Sequence, residues 1–223
     1  GPNIICQGET AMKLRTIGLT VAAVIAAAFL AVRFTTTGSG LALAMLGGVM
    51  NATAASAAPI DIGPAVGSAV PALHLVDKAG AAPTVKSLSG PNGVVLVFTR
   101  SAAWCPFCMS QLISLRNAPA ALAKRGYNIA AISYDSPEVL AGFAAKRDIN
   151  YPLLSDSGSV TIDAFGLRDP QYKPGSMAYG VPQPAIFVVA SDGTVRASLA
   201  EAGYKTRPPL DAVLKAIDAL PAR

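Results

Sequence analysis

Residues 94–108 read VVLVFTRSAAWCPFC, and this stretch contains the start of a fold together with a candidate reactive site. The run VVLVFT at 94–99 is apolar and rich in β-branched residues, which is typical of a strand buried on both faces. Residues 106–125 then show helical spacing of leucines, with Pro119 expected to kink or break the helix. The stretch therefore predicts a buried strand that leads into a helix, with two cysteines at the junction.

The residues on either side continue the alternation of strands and helices. Strands are predicted at 72–76, 94–99, 127–134, 151–154, 185–190 and 194–199, and helices at 106–125, 136–148, 160–165 and 211–220. Residues 85–88 are expected to pair back onto the first strand, and residues 167–183 form a long loop. This order predicts an α/β fold with a central mixed β-sheet flanked by helices.

Composition excludes several classes of protein. The chain has 223 residues, of which 52% are hydrophobic and 14% are charged, and this excludes a disordered polymer. From Pro59 onward, 15 Lys and Arg residues stand against 12 Asp and Glu residues without any cluster of like charge, so no nucleic-acid partner is expected. No glycine-rich phosphate loop or dinucleotide fingerprint is present, so we expect no cofactor.

An apolar segment near the start of the chain indicates export. Residues 16–32 are uncharged and follow Lys13 and Arg15, as in a signal peptide or an anchor. Ala55-Ser56-Ala57 fits the small-x-small pattern for cleavage, which favours a removed signal peptide over an uncleaved anchor or a buried core helix. Either export route places the α/β domain outside the cytoplasm, in a periplasmic or other extracytoplasmic space, soluble or anchored to the inner membrane.

These features divide the chain into two parts. Met12 has the character of a natural start, so residues 1–11 are expected to be an upstream extension. Residues 1–58 then comprise this extension and the signal peptide or membrane anchor. Residues 59–223 comprise the α/β domain.

The spacing of Cys105 and Cys108 suits redox chemistry. Cysteines at i and i+3 of a helix start lie on one face, close enough for a disulfide. Free backbone N–H groups and the helix dipole at this end favour a Cys105 thiolate. Cys108, one turn further in, would then resolve a mixed disulfide on Cys105. Pro106 in the first turn costs no hydrogen bond, and it removes an N–H that would otherwise reach the sulfur. It is also a candidate substrate-positioning residue.

Other uses of the two cysteines remain open. A structural disulfide is possible in an oxidising compartment. Zinc would need a second pair of ligands, for which the chain offers only His74 and Cys6, so no metal ligands are assigned. A copper(I) site with Met109 nearby is a further alternative, because soft sulfur ligands select that ion.

Four more residues are candidates for positioning or proton transfer. Trp104 is expected to cover the disulfide and offer an apolar docking surface, or else to pack in the core. Pro184 precedes a buried strand, and a cis bond before it would present the Gln183 backbone to an incoming sulfur or peptide. Glu201 follows the last strand and is either a proton acceptor near Cys108 or a solvated charge.

The quoted motifs resemble a known group of proteins. WCPFC after a buried strand, followed later by PQPAIFVVASDGTV, resembles the thioredoxin fold with its active-site disulfide and cis-proline loop. GSAVPALHLVDKAG, ISYDSPEVLAGFAAKRDINYPLLSD and FGL extend the resemblance to the redoxin group. That group includes the alkyl hydroperoxide reductase/thiol-specific antioxidant family (peroxiredoxins) and membrane-facing thioredoxin-like reductases. The resemblance covers residues 62–219.

The resemblance assigns roles to single residues. Cys105 matches the peroxidatic cysteine of peroxiredoxins and the attacking cysteine of thioredoxins, whereas Cys108 matches only the thioredoxin partner. Ala102 stands where peroxiredoxins carry Thr or Ser, and Pro184 stands where they carry Arg. The missing groups would hydrogen-bond peroxide oxygens, and three residues are candidates to replace them: Thr99, Arg100 and Ser101.

We therefore expect an exported thiol–disulfide oxidoreductase with Cys105 as nucleophile and Cys108 as resolving residue. The first alternative is a thiol-dependent peroxidase that reduces hydroperoxides. A second alternative is a copper-binding or passive interaction module. The expected partners are protein thiols or disulfides, or hydroperoxides, with an external thiol reductant and a membrane tether through residues 16–32.

Overall fold

The computed structural model describes residues 58–221. The predicted signal or anchor segment at 16–32 and the cleavage site ending at Ala57 lie outside this range. Within it, no helix is both long and apolar enough to cross a membrane.

The described residues contain five strands and six α-helices. In chain order they are α1 (Val85–Leu88), β1 (Gly93–Phe98), α2 (Pro106–Ser114), α3 (Ala118–Ala123), β2 (Tyr127–Ser133), α4 (Pro137–Arg147), β3 (Leu153–Ser155), α5 (Val160–Ala164), β4 (Ala185–Ala190), β5 (Val195–Ala200) and α6 (Leu210–Asp218). From β1 onward the elements follow the predicted order, except that two helices replace the one predicted at 106–125.

The strands form one mixed sheet, as predicted. Its strand order is β3-β2-β1-β4-β5. Strand β1 runs parallel to β2, with Val95 opposite Ile129, and antiparallel to β4, with Val95 opposite Val188. Strand β2 is parallel to β3, and β4 forms an antiparallel hairpin with β5. Strand β1 is therefore central, which explains its uninterrupted apolar sequence.

Side chains of β1 alternate between two hydrophobic cores. Val95 and Val97 join a core with residues of α2, α3, α4 and α6, whereas Val94, Leu96 and Phe98 join a core with α5 and the chain before α1. A strand places successive side chains on opposite faces, so both faces of the sheet are covered by helices or chain. The carboxyl end of β1 consequently emerges between two packed layers, and Cys105 follows it.

Two predicted elements near residue 80 are wrong. Residues 72–76 form no strand, because the amide of His74 donates to the Thr161 hydroxyl (2.8 Å) and only Val76 bridges to Ser155. Residues 85–88 do not pair with them but form helix α1. The helix begins at a capping box, in which the Thr84 and Ser87 side chains accept from each other's backbone N–H groups.

The predicted helix at 106–125 is divided. Helix α2 ends at Ser114, a 3₁₀ turn covers Leu115–Asn117, and α3 begins at Ala118. Pro119 lies in the first turn of α3, where its missing N–H costs nothing. The predicted break is thus confirmed, and it falls just before the proline.

Candidate active site

Cys105 lies at the N-cap of α2. Its backbone is extended, with φ −95° and ψ 103°, and its Sγ accepts the backbone N–H of Cys108 at 3.3 Å. Pro106 is the first helical residue. The strand-to-helix junction predicted from residues 94–108 is therefore present, and a free N–H group of the helix start points at the Cys105 sulfur.

Cys105 and Cys108 are joined in a disulfide, with their Cα atoms 5.2 Å apart. Both residues are buried, with exposed fractions of 2% and 0%. Cys108 is the less exposed of the two, but the difference is small. A substrate or reductant can therefore reach the disulfide only by passing the side chains that surround it.

The loop before Cys105 is anchored by the carboxylate of Asp135. This buried group accepts from the Ser101 hydroxyl (2.8 Å), the Ala102 backbone N–H (2.6 Å) and the Ser133 hydroxyl (2.9 Å). Asp135 comes just after β2 in the chain. Its attachment to a loop more than thirty residues earlier in the chain depends on β1 and β2 being neighbours in the sheet.

Arg100 is a buried cation surrounded by aromatic rings. Its guanidinium carbon lies 5.5 Å from the ring centre of Trp104, 4.9 Å from that of Tyr172 and 4.5 Å from that of Tyr204. Its Nη2 donates to the Tyr172 hydroxyl, whereas Nε and Nη1 have no hydrogen-bond acceptor among the described residues. Arg100 thus keeps donors for a group that enters the site.

The other two candidates to replace the family's missing groups differ from Arg100. The Ser101 hydroxyl is engaged by Asp135. The Thr99 hydroxyl is buried and makes no hydrogen bond within residues 58–221. Ala102 has no side-chain hydroxyl to donate, and its backbone N–H donates to the Asp135 carboxylate.

Trp104 connects the cysteine loop to the long loop at 167–183. Its indole N–H donates to the Tyr134 hydroxyl (2.9 Å), which donates in turn to the Met177 carbonyl (2.9 Å). Burial raises the pKa of Tyr134, although the bond from Trp104 opposes the shift. Trp104 is only partly buried. It therefore lies at the rim of the site and not in a hydrophobic core.

Arg207 reaches the second sulfur from a distant part of the chain. Its Nη2 lies 3.4 Å from Cys108 Sγ, although the two residues are 99 positions apart. Burial lowers the pKa of Arg207 to about 10; the charge of Arg100 adds to this effect, and that of Glu201 opposes it. Arg207 was not predicted from the sequence, because no local pattern marks it.

Gln183, Pro184 and Glu201 lie together in a small cleft of about 100 Å³, which Tyr204 also lines. Tyr204 packs edge-on against Phe107 inside the CxxC motif, with ring centres 5.9 Å apart. The predicted cis bond before Pro184 is wrong, because every peptide bond within 58–221 is trans. The Gln183 N–H donates to the Leu167 carbonyl (2.7 Å). The backbone at Gln183 is therefore held by the other end of the loop at 167–183.

Glu201 directly follows β5 and interacts electrostatically with Arg207. It is half-buried and bridges to Pro59 at the end of β5. Its charge acts on Arg207, whose pKa it raises. The role of Glu201 as a proton acceptor near Cys108 stays a prediction.

Metal ligands are sparse in this part of the chain. Among residues 58–221, no group of three or more His, Cys, Asp and Glu side chains is arranged to hold a metal ion. The two soft ligands that copper(I) would use are the sulfurs of the disulfide.

Sequence comparison places the domain in a family. The AhpC/TSA family profile matches residues 66–198. Peroxiredoxin Bcp of Escherichia coli (strain K12) is 30% identical over 129 residues, covering 58% of this chain and 81% of that protein. A putative peroxiredoxin of Mycobacterium tuberculosis (strain H37Rv) is 31% identical over 129 residues, covering 58% of this chain and 80% of that protein.

Solved structures share the fold. Peroxidoxin BcpB from Mycobacterium tuberculosis superposes with a TM-score of 0.60 at 24% identity, covering 73% of this chain and 100% of that one. Reduced Prx3 from Vibrio vulnificus, in complex with H₂O₂, gives a TM-score of 0.60 at 20% identity, covering 69% and 99%. The predicted thioredoxin-like fold is confirmed. The chain belongs to the AhpC/TSA family and is a thiol-based oxidoreductase.

Proposed function

We propose that the protein is a thiol-dependent peroxidase in which Cys105 reduces hydroperoxides and Cys108 resolves the product. The observation that carries the proposal is the place of Cys105, at the N-cap of α2 in a chain of the AhpC/TSA family, with a backbone N–H donated to its sulfur. A helix start stabilises the thiolate, which is the form of cysteine that attacks a peroxide. The sequence motifs favoured disulfide exchange as the first candidate, and the family relatives reverse that order.

The reaction has three steps. The Cys105 thiolate attacks one peroxide oxygen, the O–O bond breaks, and the leaving oxygen takes up a proton to give an alcohol or water. Cys105 is now a sulfenic acid. The Cys108 thiolate attacks its sulfur, the S–O bond breaks, and the released hydroxide is protonated to water. An external dithiol then reduces the Cys105–Cys108 disulfide and is itself oxidised.

Arg100 is proposed to replace the donor that peroxiredoxins place at the position of Pro184. Its guanidinium is 2% exposed and has two nitrogens without acceptors among residues 58–221. It lies against Trp104, the neighbour of Cys105. A charged donor in such a poorly solvated site polarises a peroxide oxygen more strongly than it would in water.

Thiol–disulfide exchange remains the second candidate. The observation that favours it is the disulfide within a single helical turn, next to a tryptophan at the rim of the site. In this reaction Cys105 attacks a disulfide of a partner, the partner's second sulfur leaves as a thiolate, and Cys108 then displaces the first.

Stopped-flow fluorescence separates the two functions. The chain has one tryptophan, Trp104, so its emission reports on the site alone. The reduced full-length protein is mixed with increasing H₂O₂. A peroxidase should show a first phase that is linear in peroxide and at least about tenfold faster than free cysteine, equivalent to ~1.4 kcal/mol of barrier. A rate equal to that of free cysteine would reject the peroxidase.

Three variants control this experiment. Cys105→Ser should abolish the signal, Cys108→Ser should retain only the first phase, and Cys6→Ser should behave as the parent. Trapping with Cys108→Ser adds a chemical readout. A sulfenic acid on Cys105 supports the peroxidase, and a covalently linked protein supports exchange. Copper that the parent protein, with both cysteines, retains through purification supports the metal-binding alternative.

We also propose that residues 1–58 export the domain. The uncharged stretch at 16–32 behind Lys13 and Arg15, with Ala55-Ser56-Ala57 further on, supports this. Expression of the full chain in a bacterial host, followed by cell fractionation and N-terminal sequencing, tests it. A periplasmic product that starts after Ala57 or Ala58 indicates a signal peptide, and an uncleaved membrane-bound product indicates an anchor. A full-length product in the cytoplasm would refute export.

A further inference from the structure

The guanidinium of Arg207 is held on several sides, with one nitrogen directed at Cys108. Its Nε donates to the Gln111 side-chain carbonyl (3.2 Å). Its Nη1 donates to the Thr206 carbonyl (2.7 Å) and also to the carbonyl of Tyr204. The remaining nitrogen, Nη2, lies 3.4 Å from Cys108 Sγ. Since the other nitrogens are occupied, the orientation of Nη2 toward the sulfur is imposed by the fold.

Within the described residues, no other side chain donates a hydrogen bond to the Cys108 sulfur. Its own backbone N–H is directed at Cys105 Sγ. It lies inside α2, where the backbone N–H groups of the preceding turn are no longer free. It is also completely buried, and burial in apolar surroundings keeps a thiol protonated. A reduced Cys108 would therefore be a poor nucleophile without an adjacent positive charge.

Arg207 supplies that charge at neutral pH. Burial lowers its pKa, but only to about 10, so the group stays protonated near pH 7. Arg100 and Glu201 are the charged groups that act on it, with opposite signs. Tyr204 separates the two arginines, with its ring against Arg100 and its carbonyl accepting from Arg207. Arg207 therefore places one positive charge directly beside the Cys108 sulfur.

We propose that Arg207 is a positioning residue that stabilises the Cys108 thiolate and so accelerates closure of the disulfide. The inference rests on the proposed function, in which Cys108 attacks Cys105. In that step the Cys108 thiolate forms the S–S bond, and hydroxide leaves the Cys105 sulfenic acid with the electron pair and takes up a proton. Cys108 sulfur is oxidised and Cys105 sulfur is reduced. With a mixed disulfide, the partner's thiolate leaves instead.

A thiol titration tests the inference without any peroxide. In a full-length Cys6→Ser/Cys105→Ser background, Cys108 is the only cysteine left. Ultraviolet absorbance of the thiolate is followed against pH with Arg207 intact and in Arg207→Gln. Loss of Arg207 should raise the midpoint by about one pH unit. Arg207→Lys keeps the charge and should shift it less. Arg196→Gln, on strand β5, is the matched control and should leave it unchanged.

Equal midpoints in the Arg207 and Arg207→Gln proteins would overturn the inference, provided that both unfold at the same urea concentration. If Arg207→Gln does not fold, Gln111→Met decides the question, because it removes the acceptor that holds Nε in place. A smaller upward shift in this variant supports the inference, and an unchanged midpoint counts against it.

Kinetics of the intact pair give a second readout. In Arg207→Gln, the peroxide-dependent phase of Trp104 fluorescence should keep its rate. The later, peroxide-independent phase should slow about tenfold at pH 7 and recover at pH 9, because a shift of one pH unit changes the thiolate fraction tenfold. Equal slowing of both phases would indicate a purely structural role. If the parent shows no peroxide-dependent phase, the proposed peroxidase function fails, whereas the titration still decides the role of Arg207.

Discussion

Two loops meet at the disulfide, and they support its sulfurs in different ways. The approach loop, residues 99–104, is buried over its first four residues and is anchored by two hydrogen bonds to the Asp135 carboxylate. The return loop, residues 201–209, is mostly exposed, and through Arg207 it contacts Cys108. The Cys105 sulfur accepts a hydrogen bond from a backbone N–H group, whereas the Cys108 sulfur is contacted by a single side chain, that of Arg207.

The two loops therefore have different tasks: the approach loop positions the start of α2, and the return loop brings a charged side chain to Cys108. A buried, hydrogen-bonded loop fixes where the helix start and its N–H groups lie, and any change in it also alters the stability of the fold. An exposed loop that supplies one cation can alter reactivity with less effect on the core. Substitutions near Cys105 should therefore change stability most, and substitutions near Cys108 should change rates most.

The largest loss of stability is expected from Asp135→Ala. The substitution leaves the buried donors of Ser101 and Ala102 without their acceptor, and the Ser133 hydroxyl keeps only the Arg100 carbonyl (3.2 Å). The free energy of unfolding should fall by about 3 kcal/mol, as measured from urea denaturation. Asp61→Ala, at an exposed position, is the matched control and should leave the midpoint unchanged. A similar small effect of both substitutions would show that the approach loop is not anchored in this way.

A smaller effect is expected from Tyr151, which belongs to neither loop and is hydrogen-bonded to the body of α2. The buried hydroxyl of Tyr151 donates to the Leu112 carbonyl at 2.7 Å. Tyr151→Phe should lower the free energy of unfolding by about 1 kcal/mol at pH 7. If the loss matched that of Asp135→Ala, support of the helix body would matter as much as support of its start.

The same tyrosine predicts a pH dependence. Burial raises the pKa of Tyr151 above its ordinary value of 10.0. The folded protein then keeps a proton that the unfolded chain loses, so the contribution to stability is complete below pH 10 and is lost as the pH rises above it. The difference in stability between parent and Tyr151→Phe should therefore shrink between pH 9 and 11. A constant difference across this range would contradict the assignment.

The smallest effect is expected from Tyr134→Phe, which cuts the link from the approach loop to residues 167–183. Both hydrogen bonds of the hydroxyl, from Trp104 and to Met177, are lost. Because the group is only partly buried, the cost should stay below about 1 kcal/mol. Hydrogen exchange of residues 172–180 should nevertheless become faster. Tyr179→Phe, on the same loop, should not have this effect, and unchanged exchange in Tyr134→Phe would show that the link is not structural.

Local patterns were sufficient for most of the fold. The apolar runs of β1, β2 and β4 are each long enough to show a buried strand. The Ser136-Pro137 start of α4 also has a purely local cause, since the Ser136 hydroxyl accepts the Val139 N–H. The strand predicted at 72–76 is wrong because the hydrogen-bond partner of His74 is a side chain 87 positions away.

For the site, the sequence by itself determined the helix start and the spacing of Cys105 and Cys108, because an N-cap and an i, i+3 pair depend only on neighbouring residues. Only the tertiary structure decided what surrounds them. Asp135, Tyr172 and Arg207 reach the site from 33, 72 and 99 positions away from the groups they contact. The order of strands in the sheet and the packing of loops bring such groups together, and neither produces a periodic pattern in the sequence. The surroundings of the two sulfurs therefore depend on both levels: a backbone N–H group that the sequence places beside Cys105, and an arginine that the fold places beside Cys108.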